Sequence, residues 1–261
     1  MVRKIWWNDF SALDFEGIDP MRTIAILPIA AVEQHGPHMP VGTDTILNQG
    51  CLDLLVKRAP DDLDIRILPV QSVGKSNEHI WAKGTATFTA HTLLDAWFEL
   101  GQSVSRAGIK KLVFINSHGG NESIMDIVGR ELRVRETMLV MKSGWTRFQP
   151  PDGMLTDLEK RHGIHAGDLE TSLMLHFRPE LVDMSRAQDF VSAAARDEKD
   201  FTYLRPTGTH AYSWIASDLN PAGAVGNAAA ATAERGRVIA DAEVAGMLAL
   251  LDEVRRHALP V

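Results

Sequence analysis

Apolar and polar positions along the chain form blocks typical of buried strands that are each followed by a helix. The apolar run RTIAILPIA (22–30) has the length of a buried strand, and residues 45–58 then carry apolar side chains at helical spacing. The same order recurs in DIRILPVQSVG (64–74), which precedes a predicted helix at about 91–107. A third strand, KKLVFINSHGGN (110–121), follows. This alternation predicts an α/β fold with a mostly parallel sheet and helices on both faces.

The second half of the chain continues this order and then becomes irregular. A helix through residues 124–132 precedes a fourth strand, TMLVMKSGW (137–145). LETSLMLHF (169–177) begins another helix, and the alanine-rich run from about 226 to 257 predicts a long one. Residues 184–222 show no clear periodicity, so we predict a loop region there that contributes to a pocket wall or to a contact between subunits.

Composition and charge narrow the class of protein. The chain is 45% hydrophobic and 23% charged, as is usual for a globular protein. Its formal net charge of -7 argues against nucleic acid and anionic membranes as partners and favours a small molecule. Without a signal sequence or a run of ~18 apolar residues, we predict a cytoplasmic protein. The single cysteine, Cys51, is predicted on the buried face of a helix.

Side chains that bind protons or metals follow the predicted strands at their carboxyl ends. Ligands bind beyond these ends in parallel sheets, so we expect the side chains to share one rim. The candidates are Glu33, His35, His38 and Asp44 after the first strand; Ser76, Glu78 and His79 after the second; Ser117, His118, Asn121 and Glu122 after the third; and His162, His165, Asp168 and Glu170 in a later loop.

This set of side chains indicates a catalytic metal site. Imidazole and carboxylate ligands without sulfur suit Zn, Mn or Fe and are not typical of a closed structural zinc site. A bound metal lowers the pKa of its water and polarises a carbonyl group, and a shared carboxylate holds two ions ~3.5–4 Å apart. Asp44 also precedes a predicted helix, where capping the helix is the alternative role. No phosphate loop or G-x-S-x-G motif accounts for the glycines instead.

Five blocks of the sequence resemble the creatininase family (creatinine amidohydrolase and its relatives). They lie in the family's order, span nearly the whole chain, and read LPIAAVEQHGPHMPVGTD (27–44), SNEHIWAKGTATF (76–88), LVFINSHGGNES (112–123), HAGDLETSLML (165–175) and AVGNAAAATAERG (224–236). The resemblance implies a single domain over residues 1–261, folded as a three-layer αβα sandwich. It also implies two divalent metal ions per subunit and a homo-oligomer, often a hexamer.

The family's metal ligands carry over to named positions of this sequence. Glu33, Asp44 and His118 are implied to hold one metal, and His35 and Asp44 the other, with Asp44 as the bridge.

One ligand position departs from the family pattern. Creatininase has a metal-binding glutamate two residues after the last histidine, whereas this chain has Gly120. We expect Glu170 to complete the second site. Glu122 is the alternative, although a carboxylate at the start of a helix can equally face solvent.

The resemblance also implies roles around the substrate. His165 matches the residue proposed to pass protons to the leaving nitrogen. The alternative is that His165 only supports neighbouring metal ligands. Asp168 is expected to orient His165 or to cap the helix that starts there. Trp145 matches one of two tryptophans that press on the creatinine ring, but Arg161 stands at the other and Gly119 replaces an aromatic residue.

Creatinine is therefore not the expected substrate, and Arg161 is expected to meet an anionic substrate group or to face solvent. The predicted substrate-binding residues are His79, Trp145, Arg161, Ser76 and Asn121.

Three functions remain open at this point. The main hypothesis is a metal-dependent amidohydrolase that cleaves a C–N bond of a small cyclic amide or formamide, with His165 and Glu170 as catalytic residues. The first alternative is a metal-dependent hydrolase of carbon–carbon bonds in a cyclic diketone, as in some relatives. The second is a metal-binding scaffold without activity.

Overall fold

The computed structural model describes residues 3–259, which are built around a four-stranded parallel sheet. The strands are β1 (Ile24–Ile29), β2 (Ile65–Ile67), β3 (Lys111–Asn116) and β4 (Leu139–Gly144), in the order β2-β1-β3-β4. Ile24 pairs with Ile65 on one side and with Lys111 on the other. β1 and β3 are buried along their whole length. β1 is a continuous apolar run, and in β3 the apolar residues 112–115 lie between Lys111 and Asn116.

Helices cover both faces of this sheet, which confirms the predicted three-layer α/β architecture. The helices are α1 (Thr43–Arg58), α2 (Ala90–Arg106), α3 (Glu122–Glu136), α4 (Asp157–His162), α5 (Asp168–Phe177), α6 (Ala193–Asp200), α7 (Ala216–Leu219) and α8 (Ala233–Arg256). Alternate side chains of β1 separate the two cores: Ile24 and Ile26 pack with α1 and α8, whereas Ala25 and Leu27 pack with α2 and α3. Within residues 3–259, none of the helices is long and apolar enough to cross a membrane.

Two element boundaries differ from the sequence prediction. β2 has three residues, not the eleven of 64–74, because Pro69 has no N–H group for the ladder. The long helix α8 begins at Ala233 and not near 226. The Thr232 side chain caps it by accepting a hydrogen bond from the Arg235 N–H, and Gly226 belongs to a strand.

The region 184–222 has more regular structure than predicted. It contains α6, α7 and the strand β5 (Asp189–Phe190), which pairs antiparallel with β6 (Gly226–Asn227). The helix α4 was also not predicted, and it begins where Thr156 accepts a hydrogen bond from the Glu159 N–H. Such short elements lack the length over which hydrophobic periodicity becomes visible.

Candidate metal centre

The segment between β1 and α1 brings three of the predicted ligands into the interior. Glu33, His35 and Asp44 are each at most 1% exposed. The chain turns at Gly36, whose φ of +65° favours glycine and where a Cβ atom would lie 2.9 Å from the Cβ of Ala224. Asp44 lies inside the first turn of α1, not at the cap, so its carboxylate is available to the centre.

The carboxylate of Asp44 lies between two histidines. Its Oδ1 is 3.3 Å from His35 Nε2, and its Oδ2 is 3.6 Å from His118 Nδ1. His118 Nδ1 is also 3.2 Å from Glu33 Oε1. Among the described residues, Glu33 Oε1, Asp44 Oδ2 and His35 Nε2 are buried polar atoms without a hydrogen-bond partner. Buried polar atoms are normally satisfied, so this group of atoms calls for a ligand such as a metal ion.

Three histidines around the centre are each tied to a backbone carbonyl through one ring nitrogen. His35 Nδ1 lies 3.0 Å from the Glu33 oxygen, His118 Nε2 2.8 Å from the Lys75 oxygen, and His165 Nε2 2.8 Å from the Gln34 oxygen. A carbonyl oxygen only accepts, so each of these nitrogens donates. The other nitrogen of each ring therefore faces the centre, which is the usual arrangement of metal-binding histidines.

Glu170, and not Glu122, reaches this centre. Glu170 Oε2 lies 3.9 Å from His35 Nε2 and accepts a 2.5 Å hydrogen bond from the Ala166 N–H. Glu33, His35 and Asp44 form one group with ligand atoms close enough to hold a metal, and His35, His165 and Glu170 form another. Glu122 is instead paired with Arg147 at 3.0 Å and with a lysine on β4.

The position of Gly120 explains why the family's glutamate has no counterpart there. A side chain at residue 120 would collide with Glu78 Oε1, His118 Nε2 and the Lys75 oxygen. Glu78 Oε1 instead lies 3.3 Å from His118 Nε2, on the side of the ring away from Glu33. The Glu78 carboxylate therefore occupies the space beside Gly120 and orients the His118 ring through Nε2.

Burial and carboxylates shift the pKa values of the ring nitrogens in opposite directions. Burial alone would lower the pKa of His35, but Asp44, Glu170 and Glu33 outweigh burial and raise it to about 9. The carboxylate of Glu33 likewise raises the pKa of His118 well above its usual range, against the effect of burial. Burial and the charge of His35 hold the pKa of His165 well below its usual range, so His165 is neutral.

Gln34 is a residue of the site that the sequence analysis missed. Its Nε2 group lies 2.7 Å from His79 Nδ1 and donates to the Gly223 oxygen at 2.8 Å. Because the Gln34 amide donates, His79 Nδ1 accepts, and the His79 proton lies on Nε2, 3.5 Å from Glu33 Oε1. The only sequence signal for this role is its place between Glu33 and His35.

Two of the five predicted substrate-binding residues lie at the centre. His79 lines the same cavity as the candidate ligands. The Ser76 hydroxyl donates to Glu33 Oε2, so it orients the carboxylate rather than facing the cavity.

The other three predicted substrate-binding residues contact other parts of the protein. Asn121 is buried and donates to the Ala30 oxygen and to Asn116 Oδ1, so it joins the exits of β1 and β3. Trp145 packs in the core, where its indole N–H donates to Asn48 Oδ1 at 3.2 Å. Arg161 points outward, with its Nε 3.7 Å from Glu198 Oε2.

Asp168 does not orient His165, contrary to one of the two expectations for it. Its carboxylate accepts hydrogen bonds from Arg235 at 2.5 and 2.6 Å and from Ser172 at 2.9 Å, which joins α5 to α8. A second buried carboxylate, Glu159, holds the His165 segment by accepting the Asp168 N–H at 2.7 Å.

The centre opens into a cavity of about 610 Å³. Besides the candidate ligands, Thr207, Ser213 and Trp214 line it, so the region 184–222 contributes to the pocket wall as predicted. This volume lies within the range of small-molecule sites, ~300–1,000 Å³.

A parallel sheet between two helical layers, with histidines and carboxylates at the carboxyl ends of its strands, defines this protein as an α/β protein with a candidate metal centre. Residues 8–251 match the family model described as creatininase, creatinine amidohydrolase. The chain therefore belongs to the creatininase family, as its sequence blocks predict.

Its relatives in this family are hydrolases of different names. The chain is 32% identical to the mycofactocin precursor peptide peptidase of Mycolicibacterium smegmatis, over 61% of this chain and 60% of that protein. It is 28% identical to the creatinine amidohydrolase of Pseudomonas putida, over 72% of this chain and 75% of the relative. It is 23% identical to the 3-dehydro-scyllo-inosose hydrolase of Thermotoga maritima, over 89% of this chain and 76% of that protein.

Solved structures have the same fold. A creatininase structure with Mn matches 98% of this chain and 100% of its own, with a TM-score of 0.76 and 22% identity. A mutant creatininase of the Zn-Zn type matches 98% of this chain and 100% of its own, with a TM-score of 0.75 and 24% identity.

Proposed function

We propose that this protein is a metal-dependent amidohydrolase that cleaves a carbon–nitrogen bond. The observation that carries the proposal is the set of tethered histidines, each with one nitrogen directed at a buried carboxylate. Glu33 Oε1, Asp44 Oδ2 and His35 Nε2 have no hydrogen-bond partner in residues 3–259. Such an arrangement places ligand atoms in advance and fixes the tautomer of each ring.

The donor set fits two divalent ions of the Zn, Mn or Fe type. Glu33 Oε1, Asp44 Oδ2 and His118 Nδ1 would hold one ion. His35 Nε2, Asp44 Oδ1 and Glu170 Oε2 would hold the other. When bound, such ions activate a water molecule and polarise the carbonyl group that it attacks.

His165 is the proton carrier in this proposal. Its Nε2 donates to the Gln34 oxygen, and its Nδ1 lies 3.5 Å from Glu33 Oε1, directed at the centre. Because burial lowers its pKa, the ring is neutral and can take up a proton from the attacking water and then give one to the leaving nitrogen. The rings of His35 and His79 lie beside the His165 ring at centroid distances of 4.3 and 4.5 Å, tilted by 41° and 39°, and restrict its movement.

The substrate is proposed as an amide other than creatinine. Trp145 is buried, Arg161 points outward and residue 119 is glycine, so the aromatic clamp expected for a flat creatinine ring is missing at these positions. The names of the relatives include a peptide peptidase as well as a creatinine amidohydrolase, so linear and cyclic amides are both candidates for this chain.

A carbon–carbon hydrolase is the second candidate, because the inosose hydrolase relative aligns with 89% of the chain. Product analysis separates the two functions, since only amide hydrolysis releases an amine. The third hypothesis, a metal-binding scaffold without activity, gains no support from relatives that are named as hydrolases.

The test is turnover of a panel of peptides, lactams, cyclic ureas and formamides by the protein loaded with Zn, Mn or Fe. We expect amide cleavage that chelation abolishes and added metal restores. The variants Glu33→Gln and His118→Ala are expected to lose both the activity and bound metal. His91→Ala, at an exposed position on α2, is the matched control. Hydrolysis that continues after complete metal removal would contradict the proposal.

A further inference from the structure

A second cavity adjoins the one that contains the metal centre. It has a volume of about 430 Å³ and lies between the ends of β3 and β4 and the segment from α4 to α5. The two cavities share the wall residues Ser117, His118, Gly119, Ile164 and Glu170. Because His118 and Glu170 are candidate ligands, the centre lies between two open spaces and not at the end of one.

Gly119 keeps the space between the two cavities free. No heavy atom of the described residues outside its two chain neighbours lies within 4 Å of the position that a Cβ of residue 119 would occupy. At the next residue, Gly120, a Cβ would collide with Glu78 and His118. A side chain at residue 119 would therefore enter open space, whereas one at residue 120 would displace the centre.

The second cavity has an apolar floor. Leu155, Leu169 and Ile164 line it, and Leu155 is buried. Charged residues line it as well; of these, Arg147 is paired with Glu122 at 3.0 Å and Lys160 is exposed. The apolar residues of the floor give the cavity room for an uncharged side chain.

We propose that the second cavity is a substrate subsite, that the substrate is a linear amide extending to both sides of the bond to be cleaved, and that Gly119 determines this specificity. The inference rests on the proposed function, because it places the reacting amide at the metal centre. Water supplies a hydroxyl to the carbonyl carbon, the C–N bond breaks, and a proton of the water passes through His165 to the nitrogen. The acid and amine products then occupy opposite cavities.

Phosphinic pseudopeptides test the inference by binding, since the phosphinate replaces the reacting amide and binds metal. We would compare a short compound with methyl groups on both sides, two compounds extended by Ala-Leu on one side each, and one extended on both sides. Affinities for the metal-loaded protein are measured by calorimetry. We expect each extension to tighten binding by about tenfold, which is typical for filling an apolar pocket.

Substitutions at residue 119 test the specificity. Gly119→Phe is expected to remove the gain from at least one extension, whereas Gly119→Ala adds a single methyl group and keeps both gains. Metal content measured on each variant shows whether the centre is intact. If Gly119→Phe does not fold, Ile164→Trp is the second variant, because Ile164 is 39% exposed and also lines both cavities.

The outcomes separate the two proposals. Acetohydroxamate, a small metal-binding compound without side groups, is measured as a control. If neither it nor the short compound binds to the metal-loaded wild type, the proposed metal centre is wrong. If they bind, but extension on both sides gives no gain over extension on one side, or both bulky variants leave the gains unchanged, the linear substrate and the role of Gly119 are wrong.

Discussion

The ring nitrogen that each histidine directs at the centre is fixed by a backbone carbonyl on its other side. His35 and His118 use different nitrogens for this contact, Nδ1 and Nε2. The sequence shows the residue types but not which atom each one presents, because the carbonyl of Lys75 reaches His118 from a distant part of the chain. The same limit applies to Trp145 and Arg161, where the tertiary fold turned the side chains away from the cavity.

Two glutamates predicted as alternatives at the second metal site can be separated by metal content. We expect Glu170→Gln to lose about one of two bound metals, because Glu170 Oε2 faces His35 Nε2. Glu122→Gln should keep both, since Glu122 pairs with Arg147 and Lys142 away from the centre. Elemental analysis after equilibration with metal gives the answer. Full occupancy in Glu170→Gln, or loss in Glu122→Gln, would reverse the assignment.

Metal binding is expected to weaken as the pH falls. Burial opposes protonation of His35, but Asp44, Glu170 and Glu33 raise its pKa to about 9, so below that pH a metal must displace a proton from the ring. Each displaced proton weakens the apparent affinity by ~10-fold per pH unit. Competition with a chelator between pH 6 and 8 measures this slope, and calorimetry in buffers of different ionisation enthalpy counts the protons. An affinity independent of pH would contradict the prediction.

At the scale of elements, α4 holds the segment that carries His165 and Glu170. The Glu159 carboxylate accepts the N–H groups of Asp168 at 2.7 Å and Asn227 at 2.8 Å, so it joins α4, α5 and β6. Gly163, Gly167 and Gly226 surround it, each too close to this carboxylate for a side chain. The sequence did not predict α4, because a helix of six residues has too few turns to show a periodic pattern.

Glu159→Gln tests this element. The amide offers one acceptor oxygen instead of two and turns an NH₂ group toward a backbone N–H, so we expect a loss of ~1–3 kcal/mol in the free energy of unfolding. Occupancy of the metal site that contains Glu170 should fall more than that of the site that contains Glu33. Denaturant unfolding and metal titration measure the two effects, with Glu131→Gln on the surface of α3 as the control. Equal behaviour of the two variants would exclude this role for Glu159.

At the scale of the whole molecule, a buried carboxylate of α8 is expected to make stability depend on pH. Glu243 of α8 is 1% exposed, and the Cys51 thiol lies 3.8 Å from its Oε2. Burial, with a smaller contribution from Glu170, raises the pKa of Glu243 from 4.5 to about 8. Between these values the folded state keeps a proton that the unfolded chain has lost. This contribution to stability is complete below the unfolded pKa and is lost as the pH rises through the folded one.

Glu243→Gln should therefore become more stable relative to the wild type as the pH rises from 5 to 8. The difference grows by at most ~1.4 kcal/mol per pH unit, which follows from one proton per molecule. Thermal unfolding of the metal-free proteins at pH 5, 6.5 and 8 measures the difference, and Glu99→Gln at an exposed position of α2 is the control. A difference that does not change with pH would show that Glu243 is ionised in the folded protein.

The sequence by itself determined the α/β architecture and the edge of the sheet at which the candidate metal ligands lie. The apolar runs within β1 and β3 are typical of a parallel sheet that is covered on both faces, and the carboxyl ends of parallel strands meet at one edge. Five separated blocks of residues also sufficed to indicate the family, which the match over residues 8–251 shows.

Only the tertiary structure decided which of the candidate residues at the carboxyl ends of the strands face the metal centre and which have other contacts. Glu170 turns inward while Glu122 is held by Arg147, and the carboxylate of Glu78 fills the space beside Gly120. These outcomes depend on contacts between residues far apart in the chain, which local periodicity and spacing do not encode. The open space beside Gly119 is likewise a property of the assembled walls, and it is where the substrate of this protein is expected to differ from creatinine.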